Sequence, residues 1–193
     1  MPADIRFATV STRAEVRQIL DLQALNLPAS LSSGTMASQG FVTVRHEPEV
    51  LQRMNEMTPA VIAKSGHEVV AYALVMPREF APDVPVLQPL FDLLATLSWN
   101  ERPLRDNPRW FVMGQVCVAE RYRGTGIFDG LYRTMASVYR GRYDFTMTEV
   151  AERNTRSRRA HERVGFRTLH TYPDAAAGEV WHVIVLDFAL RSE

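Results

Sequence analysis

Three observations predict an α/β protein in which a mixed sheet and its helices form a single domain over residues 1–193. The chain is long enough for one substantial hydrophobic core. Its composition, 46% hydrophobic and 23% charged, is typical of a soluble globular protein. Strand–helix–strand patterns in the second half imply parallel strands, and hairpin patterns elsewhere imply antiparallel strands.

The first half of the chain alternates strand and helix patterns. Ile5 and Phe7 fall on one face of a first strand, and Thr12 and Glu15 have the spacing of a capping box that begins a helix. The segment 29–40 is small and polar, which predicts a mobile loop. The other elements predicted here are a strand at FVTVR (41–45), a short helix after Pro48, and two strands in AVIAKSGHEVVAYALVM (60–76) that meet at Ser65-Gly66.

The second half begins with a proline-rich connection over 77–109 that holds an apolar run, which predicts an inserted helix. The apolar segment WFVMGQVCV (110–118) then predicts one buried strand. The elements predicted after it are a helix that follows a glycine turn and runs to about Tyr139, a strand at FTMTEV (145–150), a helix capped by Asn154 that ends at Gly165, and strands at FRTLHTY and WHVIVLDF.

The turn RYRGTG (121–126) has the residues of an anion site. Gly124 and Gly126 come directly before a predicted helix, whose first N–H groups are unpaired and carry a partial positive charge. Arg121 and Arg123 add full charges. A tight turn that only needs positive φ at glycine explains the same residues equally well. The spacing fits neither a Walker loop nor a dinucleotide fingerprint.

A second segment, NTRSRRAHERVGF (154–166), follows about thirty residues later. Together the two segments resemble the two motifs of the GNAT acyltransferase superfamily: Arg or Gln, two residues, Gly, one residue, then Gly or Ala; and Asn, a small residue, then a Tyr-Glu-Lys-x-Gly-Phe-like run. The second motif is matched at Asn154, Ser157, Glu162, Arg163, Gly165 and Phe166. The resemblance implies a mostly antiparallel central sheet with a parallel, splayed strand pair and flanking helices.

This resemblance also implies that acetyl-coenzyme A (acetyl-CoA) binds as co-substrate. Its pyrophosphate would lie against the backbone of the turn, and its pantetheine arm would pair with the edge of the preceding strand, while FTMTEV splays away. The coenzyme-binding residues implied are Val116, Cys117, Val118, Arg121, Arg123, Gly124, Thr125, Gly126, Ile127, Phe128, Asn154 and Ser157. On its own pattern, however, Cys117 reads as a small core residue rather than a nucleophile.

Three residues are candidates for catalysis. Glu149 lies near the end of a strand that should border the cleft, where it could accept a proton from an amine, or could be a carboxylate with no role. Glu120 is a weaker candidate for the same role. His161 occupies the position of the family's tyrosine, which is taken to protonate the leaving thiolate, and it falls on the inward face of its predicted helix with Ser157.

The expected reaction is transfer of acetyl from acetyl-CoA to an amine by direct attack in a ternary complex. A small molecule is the favoured acceptor, and an accessible peptide amine is possible. The alternatives are another acyl group or a hydroxyl acceptor, a non-catalytic acyl-CoA sensor or scaffold, and a nucleotide-binding module.

Bulk properties narrow the partners and the compartment. The formal net charge of zero argues against nucleic acid and anionic membranes. One cysteine allows no internal disulfide and fits a reducing compartment. The segment MPADIRFATV lacks a secretion-signal pattern, so a cytoplasmic protein is expected. The histidine spacing predicts no metal site, and a monomer or homodimer is expected.

Overall fold

The computed structural model describes residues 4–27, 44–175 and 178–189. The loop predicted over 29–40 and the first three residues of FVTVR lie outside this part of the chain. The strands in chain order are β1 (Ile5–Thr9), β2 (Val61–Ser65), β3 (Glu68–Ala73), β4 (Ser98–Trp99), β5 (Arg102–Pro103), β6 (Trp110–Val112), β7 (Val116–Val118), β8 (Phe145–Ala151), β9 (Arg167–Asp174) and β10 (Glu179–Asp187). The helices are α1 (Arg13–Ala24), α2 (Pro48–Met57), α3 (Gln88–Leu94), α4 (Ile127–Tyr139) and α5 (Thr155–Arg163).

Two compact units make up the chain, each built on one four-stranded sheet. The first unit contains Met1–Met76 and Met113–Val138, and the second contains Pro77–Val112 and Tyr139–Glu193. The mixed α/β fold predicted from the sequence is confirmed, with helices flanking both sheets. The single domain over 1–193 stays a prediction.

The first unit has an antiparallel sheet in the order β1-β2-β3-β7. Helix α1 packs against β3 and α2, and α4 packs against β1. At that contact a Cβ on Gly130 would lie 2.0 Å from the Phe7 ring, so only glycine lets the helix approach this closely. Phe7, which the sequence placed on one face of the first strand with Ile5, therefore fixes the distance between sheet and helix.

The predicted capping box at the start of α1 is confirmed. The Thr12 hydroxyl accepts a hydrogen bond from the Glu15 backbone N–H (3.2 Å), and Glu15 Oε2 accepts one from the Thr12 N–H (3.1 Å). The other carboxylate oxygen of Glu15 lies 2.6 Å from Lys64 Nζ on β2. Glu15 thus caps the helix and joins it to the sheet.

The second unit has a mixed sheet in the order β6-β8-β10-β9. Strands β6 and β8 are parallel, as the strand–helix–strand pattern predicted, and the other neighbours are antiparallel. The ring of Phe111 on β6 contacts the rings of Tyr139, Tyr143 and Phe188. Helix α5 packs on β8. The helix predicted within 77–109 is present as α3, and a short β4–β5 hairpin follows it.

The single strand predicted for WFVMGQVCV is wrong, because the chain leaves strand geometry over 113–115 and forms β6 and β7 in different sheets. The buried side chain of Gln115 explains the interruption. Its Oε1 accepts hydrogen bonds from Tyr72 Oη and from Gln23 Nε2 (2.7 Å), and its Nε2 donates to the Val44 carbonyl (2.8 Å). A glutamine held inward by three partners cannot follow the apolar alternation of a strand.

The strand predicted at FVTVR is also wrong for its two described residues, because Val44 and Arg45 lie in irregular chain. The Val44 carbonyl bonds to the Gln115 side chain rather than to a neighbouring strand. The backbone of His46 follows the same pattern, because its N–H donates to Gln23 Oε1 at 2.9 Å. The backbone groups of Val44 and His46 therefore bond to glutamine side chains instead of to a neighbouring strand.

We predict that Glu15→Gln lowers the free energy of unfolding at pH 7 by roughly 1–3 kcal/mol, because Lys64 loses a buried charged partner. Burial raises the pKa of Glu15, but hydrogen bonds from Lys64 and Ser11 outweigh it and lower the pKa to about 2. The stabilisation is therefore complete above the ordinary carboxyl pKa and is lost as the pH falls toward about 2.

Urea unfolding at a series of pH values measures this difference. The gap between wild type and Glu15→Gln should close as the pH falls, whereas Glu56→Gln, at an exposed carboxylate on α2, should show no gap at pH 7. A gap that persists unchanged at the acid end would contradict the role given to the Glu15 charge.

Candidate active site

Strand β7 is an edge strand of its sheet, and a short 3-10 helix (Glu120–Tyr122) connects it to the glycine turn. It pairs with β3 alone among the described strands, with Val118 opposite Ala71 and Val116 opposite Ala73. On either side of β7, the Leu74 N–H donates to the Gln115 carbonyl and the Ala119 N–H donates to the Val70 carbonyl. Because antiparallel bonding alternates, the backbone groups of Val116 and Val118 point to the other edge.

The turn between β7 and α4 leaves a row of backbone donors. Gly124 has φ of 76° and Gly126 has φ of 83°, and a Cβ at either position would meet nothing within 4 Å. The first backbone bond of α4 runs from the Gly130 N–H to the Gly126 carbonyl. Within the described part of the chain, the N–H groups at positions 124–127 have no hydrogen-bond acceptor.

Both readings of the glycines therefore describe the same turn. Positive φ is required at each glycine, and the space around them is open enough for another molecule to approach the backbone. The backbone N–H of Arg123 is not an open donor like those at 124–127, because it already bonds to the Glu120 carbonyl at 3.1 Å. The Thr125 hydroxyl is likewise used inside the turn, where it donates to the Tyr122 carbonyl at 2.6 Å.

The two arginines of the turn have partners in the protein. Arg121 pairs with Glu68 on β3 (2.5 Å), and both side chains are exposed. Arg123 is half-buried; its Nε donates to the Val118 carbonyl (2.9 Å) and its Nη2 to Asn26 Oδ1 (2.7 Å). Arg123 therefore braces the turn against the end of β7 and the end of α1, a role that the sequence did not indicate.

Three other residues implied by the resemblance contribute to packing here. Burial raises the pKa of the Cys117 thiol to about 12, so it is protonated and unreactive at neutral pH, as its core-residue reading predicted. Ile127 is buried, and the Phe128 ring contacts the Tyr132 ring at 5.0 Å between centroids. These contacts anchor the first turn of α4 behind the row of N–H groups.

The second motif forms α5 in the second unit, as predicted. Asn154 caps the helix, with its Oδ1 accepting the Ser157 N–H at 3.2 Å. His161 is 2% exposed, which confirms its inward direction. The ring stands edge-on to Phe166, and Nδ1 lies 2.8 Å from the Ser157 carbonyl, so Nδ1 carries a proton.

Burial lowers the pKa of His161 to about 4, although the hydrogen bond to Ser157 opposes this shift. The ring is therefore neutral at pH 7, with its proton committed to the Ser157 carbonyl. A neutral imidazole with its proton on Nδ1 has only an acceptor at Nε2. To act as a general acid, His161 must gain a second proton, which requires a change in its surroundings.

Glu149 lies on β8, half-buried, and Tyr172 on β9 donates a hydrogen bond to its Oε2 at 2.6 Å. Burial raises the pKa of Glu149, the Tyr172 hydrogen bond lowers it, and the charge of Asp174 raises it again; the net shift is upward. A carboxyl group with a raised pKa is a better proton acceptor than an ordinary one. The alternative base, Glu120, is exposed in the short 3-10 helix before the turn.

Tyr172 and Asp174 were missed in the sequence. Their alternation with His170 along β9 places all three on one face, which the sequence pattern could have shown. The neighbour that matters, Glu149, is two strands away in the sheet, and its register with β9 is set through β10. Alternation alone does not give that register.

The described residues contain neither a metal-ligand cluster nor a membrane-spanning helix. They contain no group of three or more His, Cys, Asp or Glu side chains placed to hold a metal ion. Over the same ranges, every helix is too short or too polar to cross a bilayer.

Comparison with known proteins identifies the family. The model of the acetyltransferase (GNAT) family matches residues 30–166, so the chain belongs to that family and is an acyltransferase. This match includes residues of both compact units. A search of curated protein sequences finds no match.

Solved structures share the fold at low sequence identity. NAA60 from Arabidopsis thaliana, in complex with acetyl-CoA, has a TM-score of 0.62 and 14% identity, covering 95% of this chain and 99% of that one. YncA from Salmonella typhimurium, with its cofactor acetyl-CoA, has 0.61 and 11%, covering 98% and 96%. The ribosomal-protein-S18-alanine N-acetyltransferase from Escherichia coli has 0.57 and 13%, covering 98% and 97%.

We predict that the His161 imidazole of the coenzyme-free protein titrates at about 4 and carries its proton on Nδ1 at pH 7. Nitrogen-detected NMR of the ring measures both the midpoint and the tautomer. A midpoint above pH 6 would contradict the effect of burial. Because the folded pKa lies below the ordinary value of 6.5, His161 should also destabilise the fold as the pH falls from about 6.5 to about 4, and His161→Phe should remove that contribution.

Proposed function

We propose that this protein transfers an acetyl group from acetyl-CoA to an amine by direct attack in a ternary complex, as one functional domain. The observation that carries the proposal is the turn that follows edge strand β7, where the backbone N–H groups at positions 124–127, at a helix N-terminus, have no acceptor in the described chain. Membership of the GNAT family supports the same assignment, and so do structural neighbours that bind acetyl-CoA.

The turn suits a diphosphate. Backbone N–H groups at a helix N-terminus attract anions through both hydrogen bonding and the helix dipole. The N–H groups proposed to hold the pyrophosphate are those of Gly124, Thr125, Gly126 and Ile127. The exposed pair between Arg121 and Glu68 is worth only about 0–1 kcal/mol, so Arg121 can exchange Glu68 for a phosphate at little cost.

The pantetheine arm is proposed to lie along the open edge of β7. Its amides are peptide-like, and an extended peptide-like chain can add to a free sheet edge through main-chain hydrogen bonds. The N–H and carbonyl of Val116 and the N–H of Val118 face that edge. The Val118 carbonyl already accepts from Arg123, so the register of the arm is limited at that end.

Acetyl-CoA supplies the acetyl group as a thioester, and two side chains are proposed to accept and donate the protons. An amine attacks only in its neutral form, so a base must accept its proton. Glu149 is proposed for this role because its pKa is raised and because its Oε1 has no hydrogen-bond partner in the described chain. His161 is proposed as the acid for the thiolate on condition that coenzyme binding raises its pKa from about 4.

The proposed acceptor is a small molecule or an accessible peptide amine. The zero net charge supports this choice over nucleic acid, since proteins that bind phosphate backbones carry an excess of Lys and Arg. The structural neighbour named for an alanine of ribosomal protein S18 shows that the same fold occurs in an enzyme with a protein substrate. Salt-sensitive binding to DNA or RNA would contradict this part of the proposal.

We predict that Gly124→Val weakens acetyl-CoA binding at least tenfold, because valine neither adopts φ of 76° without strain nor leaves the backbone accessible. Gly66→Val is the matched control, since Gly66 has φ of 60° and equally open surroundings but lies in the β2–β3 turn. Calorimetric titration of both folded variants measures the difference. If Gly124→Val binds as tightly as Gly66→Val, the pyrophosphate binds elsewhere.

We predict that thiol release from acetyl-CoA depends on an added amine and falls roughly 10²-fold in Glu149→Gln, with acetyl-CoA affinity unchanged. The assay is release of free coenzyme A with a panel of small amines, N-terminal alanine peptides, lysine peptides and hydroxyl compounds. Glu152→Gln, at an exposed carboxylate just beyond β8, should keep wild-type turnover. Coenzyme binding without release for any compound would indicate a sensor rather than an enzyme.

A further inference from the structure

Glu149 belongs to a row of side chains that crosses the sheet of the second unit. Val183 on β10 is opposite both Glu149 on β8 and His170 on β9. Directly opposite residues share a face of the sheet, and so do residues two apart along one strand. Tyr172 and Asp174 therefore lie on the Glu149 face, beyond His170.

The contact between the two side chains is specific in its atoms. The Tyr172 hydroxyl donates to Oε2 of Glu149 at 2.6 Å, a length typical of a strong hydrogen bond to a carboxylate. The Tyr172 ring stacks on the His170 ring at 6.4 Å between centroids with 17° between planes. The stacked ring and its hydroxyl hold one carboxylate oxygen of Glu149, while the other oxygen has no hydrogen-bond partner among the described residues.

We propose that Tyr172 is the positioning residue of Glu149: its hydroxyl holds Oε2 so that Oε1 faces the acceptor amine and receives its proton. This inference rests on the proposed function, in which Glu149 is the base. In the proton transfer, the N–H bond of the attacking amine breaks and an O–H bond forms at Oε1, while Tyr172 keeps its own proton.

Tyr172 keeps that proton because its pKa is raised, first by burial and then by the hydrogen bond and charge of Glu149, with Asp174 adding to the effect. The phenol is therefore a donor throughout the working pH range. A donor to the carboxylate stabilises the charged form of Glu149, whereas the negative charge of Asp174 destabilises it. The two β9 residues thus act on Glu149 in opposite directions.

The other side chains near Glu149 are uncharged, paired with another residue, or neutral at pH 7. On β10, Val183 and Trp181 are uncharged, and Glu179 is paired with Arg153, with 2.5 Å between Oε2 and Nε. On β9, His170 faces Tyr172 by stacking. On α5, which packs on β8, the buried titratable group is His161, neutral at pH 7. Asp174 is therefore the charge, and Tyr172 the donor, whose removal should change the protonation of Glu149.

Two variants test the inference. Tyr172→Phe keeps the stacked ring and removes the hydroxyl, so the pKa of Glu149 should rise. Asp174→Asn removes the neighbouring charge, so the pKa of Glu149 should fall. The first measurement is carbon-detected NMR titration of the Glu149 carboxyl in the coenzyme-free full chain. Thr171→Val is the control, because Thr171 is on the same strand but bonds to His182 on the opposite face and should leave Glu149 unchanged.

The second measurement is the pH dependence of kcat with the best amine of the panel. The acid limb should move to higher pH in Tyr172→Phe and to lower pH in Asp174→Asn. In Tyr172→Phe the plateau of kcat should also fall roughly tenfold, since the base is less well oriented, while KM stays within about twofold. A merely structural tyrosine would lower stability without moving the carboxyl titration.

Each outcome decides between the proposals. Opposite shifts in the two variants, with the kcat loss in Tyr172→Phe, support the positioning role. If amines are acetylated but the two shifts are absent or have the same sign, the inference is overturned and the proposed function stands. If no amine is acetylated, the proposed function fails and the inference fails with it. Should Tyr172→Phe not fold, the absence of a downward shift in folded Asp174→Asn overturns the inference.

Discussion

The interruption of one apolar segment at Gln115 is the constraint on which the candidate site depends. Residues 110–118 form two strands in different sheets rather than one. With the glutamine side chain held by Tyr72, Gln23 and the Val44 carbonyl, the segment before it pairs with β8 and the segment after it with β3. β7 thereby becomes an edge strand, and an edge strand is what a peptide-like ligand needs.

The pKa values of two carboxylates, Glu15 and Glu149, shift in opposite directions because their surroundings differ. Burial raises the pKa of both. At Glu15 a lysine and several donors reverse the effect and lower the pKa to about 2, so the group is charged at neutral pH and contributes to stability. At Glu149 one phenol donor is opposed by the charge of Asp174, and the pKa stays raised. A raised pKa means that the surroundings disfavour the charged carboxylate, which is the property expected of the base proposed at Glu149.

Local chemistry was readable from the sequence, and long-range partners were not. The Thr12–Glu15 capping box, the glycine turn and the inward face of α5 each depend on residues within one or two helical turns, and the structure confirms them. The strand break at Gln115 depends on partners from three distant segments. The pattern of apolar residues predicted an unbroken strand because it does not show that the one polar residue, Gln115, forms hydrogen bonds with buried partners.

Both arginines of the turn already have partners within the protein, which is why backbone groups are proposed to hold the pyrophosphate. Both looked like phosphate ligands, yet Arg123 is half-buried and tied to Val118 and Asn26, where it fixes the path of the turn. To leave those partners it would give up two hydrogen bonds, and the Asn26 amide, which is buried, would lose a partner at a cost of about 1–3 kcal/mol. The N–H groups of the turn require no such exchange. Arg123 therefore holds the backbone of the turn in place, and Arg121, exposed beside Glu68, is the arginine able to move.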